Sequence, residues 1–155
     1  MPEHKFVSGQ PETGADRADD LERIAINFGP ENIAACIVEP IAGSTGTLVP
    51  PKGYLQKLRD TCDKHGILLI FDEVITGWGR TGSSFASIEY GVTPDIMTMA
   101  KATTNGVVPM GVVACKDEIY DSVMDASPMG SVELFHGYTY SGIPVAVAAA
   151  LAVQD

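Results

Sequence analysis

Three ionisable residues, Glu39, Asp72 and Lys101, stand immediately after apolar runs at 34–38, 67–71 and 96–100. Runs of this length between polar or turn residues read as strands buried in a parallel sheet. Ligands of such sheets gather beyond the carboxyl ends of the strands, so the residues that follow the runs carry the most chemical information. Each alone reads as a strand end meeting water. Together they place opposite charges on one rim, where a concave site lets neighbouring groups shift one another's protonation. Lys101 precedes the turn-like Ala102-Thr103-Thr104-Asn105-Gly106. A lysine partly buried at such a strand end loses its proton more readily and condenses with an aldehyde to a Schiff base.

Pyridoxal phosphate (PLP) is an aldehyde of this kind, and its ring accepts electrons only while an acidic partner keeps the pyridine nitrogen protonated. Asp72 is the candidate partner, a carboxylate that such a cation holds ionised. Val74, two residues on, offers an apolar side chain to one ring face. A rival motif, Gly77-Trp78-Gly79-Arg80-Thr81-Gly82, matches the dinucleotide-binding pattern G-x-G-x-x-G. That pattern requires its first glycine almost directly after a strand and a helix directly behind it. Here Asp72 to Thr76 intervene and Ser83-Ser84-Phe85-Ala86-Ser87 is weakly helical, so the stretch reads as a turn-rich loop in which Arg80 anchors to a carboxylate. His65 and His136 lack a second ligand at metal spacing and read as loop or capping residues. Cys36, Cys62 and Cys115 are an odd, widely spaced set in apolar surroundings, which suits reduced core thiols better than a disulfide frame, a zinc site or a nucleophile.

The elements that must position these residues alternate along the chain. Residues 1–17 contain Pro2, Gly9, Pro11 and Gly14 with little apolar periodicity and read as a flexible lead-in. From Asp19, the spacing of Leu21, Ile24, Ala25 and Phe28 predicts a helix ended by Gly29-Pro30. Strands at 34–38 and 67–71 flank a helix over 51–65 with Tyr54, Leu55, Leu58 and Cys62 on one face, closed by Gly66: a βαβ unit. A strand at 96–99, a strand at 111–115 that the short preceding link allows to run antiparallel, a helix over 117–124 and an apolar helix from Pro144 follow. This alternation predicts an α/β three-layer sandwich with a mostly parallel sheet. The last helix is apolar all round and demands cover on most sides.

Three ordered motifs resemble the class III, PLP-dependent aminotransferases. They are Phe71-Asp72-Glu73-Val74-Ile75-Thr76-Gly77-Trp78-Gly79-Arg80-Thr81-Gly82, Ala100-Lys101-Ala102-Thr103-Thr104-Asn105-Gly106 and His136-Gly137-Tyr138-Thr139-Tyr140-Ser141-Gly142. The resemblance runs from about Glu39 to about Leu151 and implies the large domain of a fold-type I PLP enzyme, in part, over 18–155. By that likeness Lys101 carries the Schiff base and shuttles the substrate proton. Asp72 holds the pyridinium and Val74 packs on the ring. Thr139 binds the cofactor phosphate of the neighbouring subunit with Tyr138 close by, and Glu39 supports the site from behind. A homodimer is implied. In relatives that use glutamate-type substrates, a gating glutamate follows the Val-Glu-Pro motif. Ser44 stands in its place here, and with the Phe135-to-Tyr140 stretch this looks more like the ω-amino acid:pyruvate and β-alanine:pyruvate aminotransferases. Ala102 and Ile143 depart tolerably from the family pattern. The upstream phosphate-binding loop, the ring-stacking aromatic and the small domain with its carboxylate-binding arginine have no counterpart. The resemblance therefore implies a fragment, weak or inactive alone, of an enzyme that moves an amino group from an amine or ω-amino acid to a keto acid such as pyruvate. Rival expectations are a non-catalytic truncated relative serving as an interaction module, and a PLP-dependent aminomutase or decarboxylase.

Composition sets the outer bounds. The 155 residues are 45% hydrophobic and 19% charged, the balance of a globular domain. A formal charge of −10 argues against a nucleic-acid surface. No apolar run approaches the roughly 20 residues that span a bilayer, and Met1-Pro2-Glu3-His4-Lys5 does not open a secretory signal. The expected location is the cytoplasm, with no membrane partner.

Overall fold

The computed structural model describes residues 9–129, 134 and 136–154. In chain order the elements are α1 (Asp19–Phe28), β1 (Ala35–Val38), α2 (Tyr54–His65), β2 (Leu68–Asp72), α3 (Ala86–Tyr90), β3 (Ile96–Met99), β4 (Val112–Cys115), α4 (Asp117–Asp125) and α5 (Pro144–Gln154). In α2 the apolar residues Leu55, Leu58 and Cys62 recur at helical spacing and are buried. Gly66 then takes a left-handed conformation, φ 68°, and the Ile67 N–H returns 2.9 Å to the Cys62 carbonyl. That cap satisfies a terminal carbonyl and turns the chain straight into β2.

The strands lie in the order β1-β2-β3-β4. β1 and β2 are parallel, with Val38 opposite Phe71. β2 and β3 are parallel, with Asp72 opposite Thr98. β4 runs antiparallel to β3, with Met99 opposite Val112, across a link from 100 to 111 that holds a 3-10 turn and no crossover helix. The sheet is thus mostly parallel, as the alternation of elements predicts. Side chains alternate across it: Leu69 and Phe71 are fully buried in a core with Ala25, Leu55, Leu58 and Cys62 from α1 and α2. Burial of a Leu or Phe side chain contributes about 1.5–3 kcal/mol. Leu68, Ile70 and Asp72 point to the opposite face.

Three expectations need correction. β1, a terminal strand of the sheet, is not buried on both faces: Ile37 is 61% exposed, on the same face as the exposed Val113, a face that the described residues leave largely uncovered. Cys115 is exposed rather than a core thiol, at the end of the other terminal strand. Of the lead-in, residues 1–8 lie outside the described residues, but the chain beyond them is fastened. Lys52 N–H donates to the Pro11 carbonyl at 2.8 Å, and a 3-10 turn over Ala15–Ala18 packs on α2, burying Ala18.

At the end of the sheet remote from Glu39, Asp72 and Lys101, Asp95 joins four segments. Its carboxylate accepts Arg59 Nη1 from α2, Lys116 Nζ from beyond β4 and the Leu69 N–H of β2, each at 2.7 Å. Burial alone raises the Asp95 carboxyl, yet Lys116, the Leu69 N–H and Arg59 together hold it below its ordinary value.

Candidate functional site

The register fixes which strand ends meet. Val38 faces Phe71 and Asp72 faces Thr98, so Glu39 and Asp72 leave neighbouring strands side by side. Lys101 leaves the next strand three residues beyond Thr98. Neighbouring strands lie about 4.8 Å apart, which gathers the three groups predicted from the sequence at one rim.

Asp72 is half-buried, and its Oδ1 accepts the Val74 N–H at 3.0 Å. This Asx turn orients the carboxylate and ends the strand. Its other oxygen takes no hydrogen bond from the described residues, so one acceptor stays open for a ligand. Val74, also half-buried, begins the turn that follows. Glu39 Oε2 accepts the Gly43 N–H at 3.0 Å and thereby shapes the loop that carries the exposed Ser44.

Lys101 opens a 3-10 turn, Lys101–Thr104, with φ 45°. That region is unfavourable for a residue with a Cβ, and such strain concentrates at functional positions. Buried threonines brace the turn: Thr103 Oγ1 donates to the Ala100 carbonyl at 3.0 Å and Thr104 Oγ1 to the Val108 carbonyl at 2.5 Å. The ammonium itself is exposed, not partly buried as the sequence suggested, because nothing in the described chain closes over the rim. It forms no ion pair among the described residues.

Tyr138 and Thr139 lie elsewhere. With Pro109, Met110 and Gly111 they line an open cleft of about 630 Å³ beside the start of β4, and neither Asp72 nor Lys101 borders it. Tyr138 has φ 48°, its N–H donates to His136 Nδ1 at 2.9 Å and the two rings sit 4.3 Å apart. Phe135, part of the same sequence motif, lies outside the described residues. His65 ends α2 with Nε2 2.8 Å from Glu22 Oε2 of α1.

The glycine-rich stretch is a loop, and it does not lead directly into a helix at Gly82. Trp78 meets Phe85 edge to face at 5.2 Å. Arg80 is exposed and anchors to no carboxylate among the described residues, contrary to expectation. Sequence reasoning missed Glu73, which is fully buried and receives three hydrogen bonds. The signal was the strand alternation: with Phe71 inward and Asp72 outward, Glu73 falls on the inward side.

Comparison with known proteins places this arrangement. The family model for class III aminotransferases matches residues 2–155. The chain is 60% identical to an omega-aminotransferase of Caulobacter vibrioides and 53% identical to a beta-alanine–pyruvate aminotransferase of Pseudomonas aeruginosa, in each case over all of this chain and 35% of the relative. It superposes on the PLP-bound crystal structure of an amine transaminase from an uncultivated Pseudomonas species with TM-score 0.85 and 37% identity, covering 100% of this chain and 39% of that one. The chain thus spans about a third of the length of the curated relatives it matches.

Proposed function

The chain belongs to the class III aminotransferases, and from that premise we propose that it is the cofactor-binding portion, residues 18–155, of a PLP-dependent enzyme. That enzyme transfers the amino group of an amine or ω-amino acid to a keto acid such as pyruvate. The observation that carries the reading is the register that sets Asp72 and Lys101 on one rim of the parallel strands. The donor set suits the cofactor: an amine free of ion pairs among the described residues, and a half-buried carboxylate with an open oxygen.

When bound, PLP supplies an electron sink for the substrate's carbon–hydrogen bond. Lys101 holds the cofactor through its Nζ and moves a proton to and from the substrate carbon. Asp72 keeps a proton on the ring nitrogen through charge pairing, and Val74 shields one face from water. Thr139, with Tyr138 beside it, holds the phosphate of a cofactor in a neighbouring copy, which makes the working form a homodimer. Glu39 supports the rim through Gly43. Ser44, unable to pair with an arginine, suits ω-amino acid donors. The names of the relatives support pyruvate as acceptor. The cytoplasm is the proposed location, in keeping with three free cysteines.

The test loads the whole enzyme that contains these residues with PLP, adds β-alanine and follows the visible absorbance, then adds pyruvate and measures alanine. A spectral change on donor addition, with alanine formed and both lost in Lys101→Ala, is expected. PLP held at Lys101 without alanine from any ω-amino donor contradicts transamination in favour of aminomutase or decarboxylase chemistry.

A further inference from the structure

We infer that Glu73 is a positioning residue, whose buried carboxylate locks the turn that holds Asp72 at the rim. The inference rests on the reading of Asp72 as the partner of the cofactor ring nitrogen. A glutamate is almost never fully buried unless paired, and Glu73 is fully buried. Its partners are neutral donors. Oε2 accepts Thr76 Oγ1 at 2.9 Å and the Ala86 N–H at 2.7 Å. Oε1 accepts the Ser87 N–H at 2.8 Å. The two backbone donors belong to the first turn of α3, where N–H groups have no acceptor within the helix. Three hydrogen bonds to one side chain tie the rim to α3 and to Thr76.

The backbone of the same residue completes the lock. Glu73 N–H donates to the Thr98 carbonyl at 2.9 Å and its own carbonyl accepts the Gly77 N–H at 2.9 Å. A Cβ on Gly77 would sit 2.9 Å from that carbonyl, so the turn closes this tightly only with glycine. Asp72 is the residue before Glu73, and Thr98 is the register partner of Asp72 on the strand that delivers Lys101. One residue therefore fixes where Asp72 leaves its strand and how that strand end sits beside the next. In Glu73→Gln one of the two oxygens is replaced by an amide NH₂, so a donor of α3 meets another donor in place of its acceptor.

The test compares wild type with Glu73→Gln in the full chain, reading the NMR signals of the Val74 amide and the Asp72 carboxyl carbon, and PLP affinity. Both signals are expected to move in Glu73→Gln and PLP affinity to fall roughly tenfold, the factor set by one lost hydrogen bond of ordinary strength. Asp95→Asn, at the remote end of the sheet, destabilises the fold but leaves both signals in place. Should Glu73→Gln fail to fold, Thr76→Val removes one donor and leaves the carboxylate. It should shift the same signals less, with Thr76→Ser restoring them. Unmoved Val74 and Asp72 signals in folded Glu73→Gln, or in Thr76→Val, overturn the inference. A wild-type chain that retains no PLP while Asp72 answers to position 73 contradicts the aminotransferase reading alone and supports this one. PLP retention with Asp72 indifferent to position 73 does the reverse.

Discussion

Lys101 adopts φ 45°, a conformation that costs a residue with a Cβ roughly 1–2 kcal/mol. It persists because Thr103 and Thr104 tie the turn from both sides. Removing the Cβ should therefore reverse the usual ranking of substitutions: Lys101→Gly is expected to be more stable than Lys101→Ala by about 1 kcal/mol, read from urea midpoints. Equal or opposite midpoints would show the turn to be unstrained. Asp72→Asn keeps the shape of the turn and removes the charge, so donor-driven spectral change in the PLP-loaded whole enzyme should slow by roughly 10²–10³-fold, the range for losing a preorganised electrostatic partner. An unchanged rate would remove Asp72 from its assigned role. Glu39, Asp72 and Lys101 were legible in the sequence because each follows an apolar run, a local pattern. Glu73 was not read: strand alternation puts it on the inward side, but two of its three donors come from a helix start more than ten residues away, so its pairing is not visible locally.

The elements were legible for the same reason that the rim residues were. Periodicity and glycine caps gave α1, α2 and the four strands close to their observed bounds. Exposure was not legible, because it depends on what lies against a strand rather than on the strand: β1 and β4 are as apolar as β2 yet carry Ile37 and Val113 on a face that the described residues leave largely uncovered. Asp95 was equally hidden, being a single carboxylate before β3 whose partners lie on α2, β2 and beyond β4. Those contacts yield an expectation for the fold. Asp95→Ala leaves Arg59 with Asp63 as its remaining ion-pair partner and the Leu69 N–H without its acceptor, and should destabilise the chain by about 3 kcal/mol at neutral pH. Because the folded-state carboxyl is held below its ordinary value, its contribution is present above the unfolded value of about 3.9 and is lost as pH falls through the lower folded one. The stability gap between wild type and Asp95→Asn, measured by urea unfolding from neutral pH downward, should therefore narrow below about pH 4. A gap that widens on acidification contradicts the assignment.

At the scale of the whole molecule, one face of the sheet is packed and the other carries exposed apolar groups. Ile37 and Val113 are 61% and 70% exposed, and Val145 and Leu151 of the apolar α5 are 58% and 59% exposed. Exposed apolar surface of this kind favours association. Light scattering on the purified chain should show a mass that rises with concentration, and a clean monomer throughout would contradict this. Whether the rim works as a unit is the central question, since the register sets Asp72 and Lys101 on one rim of the parallel strands while Thr139 lines a separate cleft. The most direct measurement mixes the chain with PLP, reduces with borohydride and locates the adduct by peptide mass. Labelling confined to Lys101 and lost in Lys101→Ala is the result expected of a rim that builds the cofactor site, whereas scattered or absent labelling would contradict it.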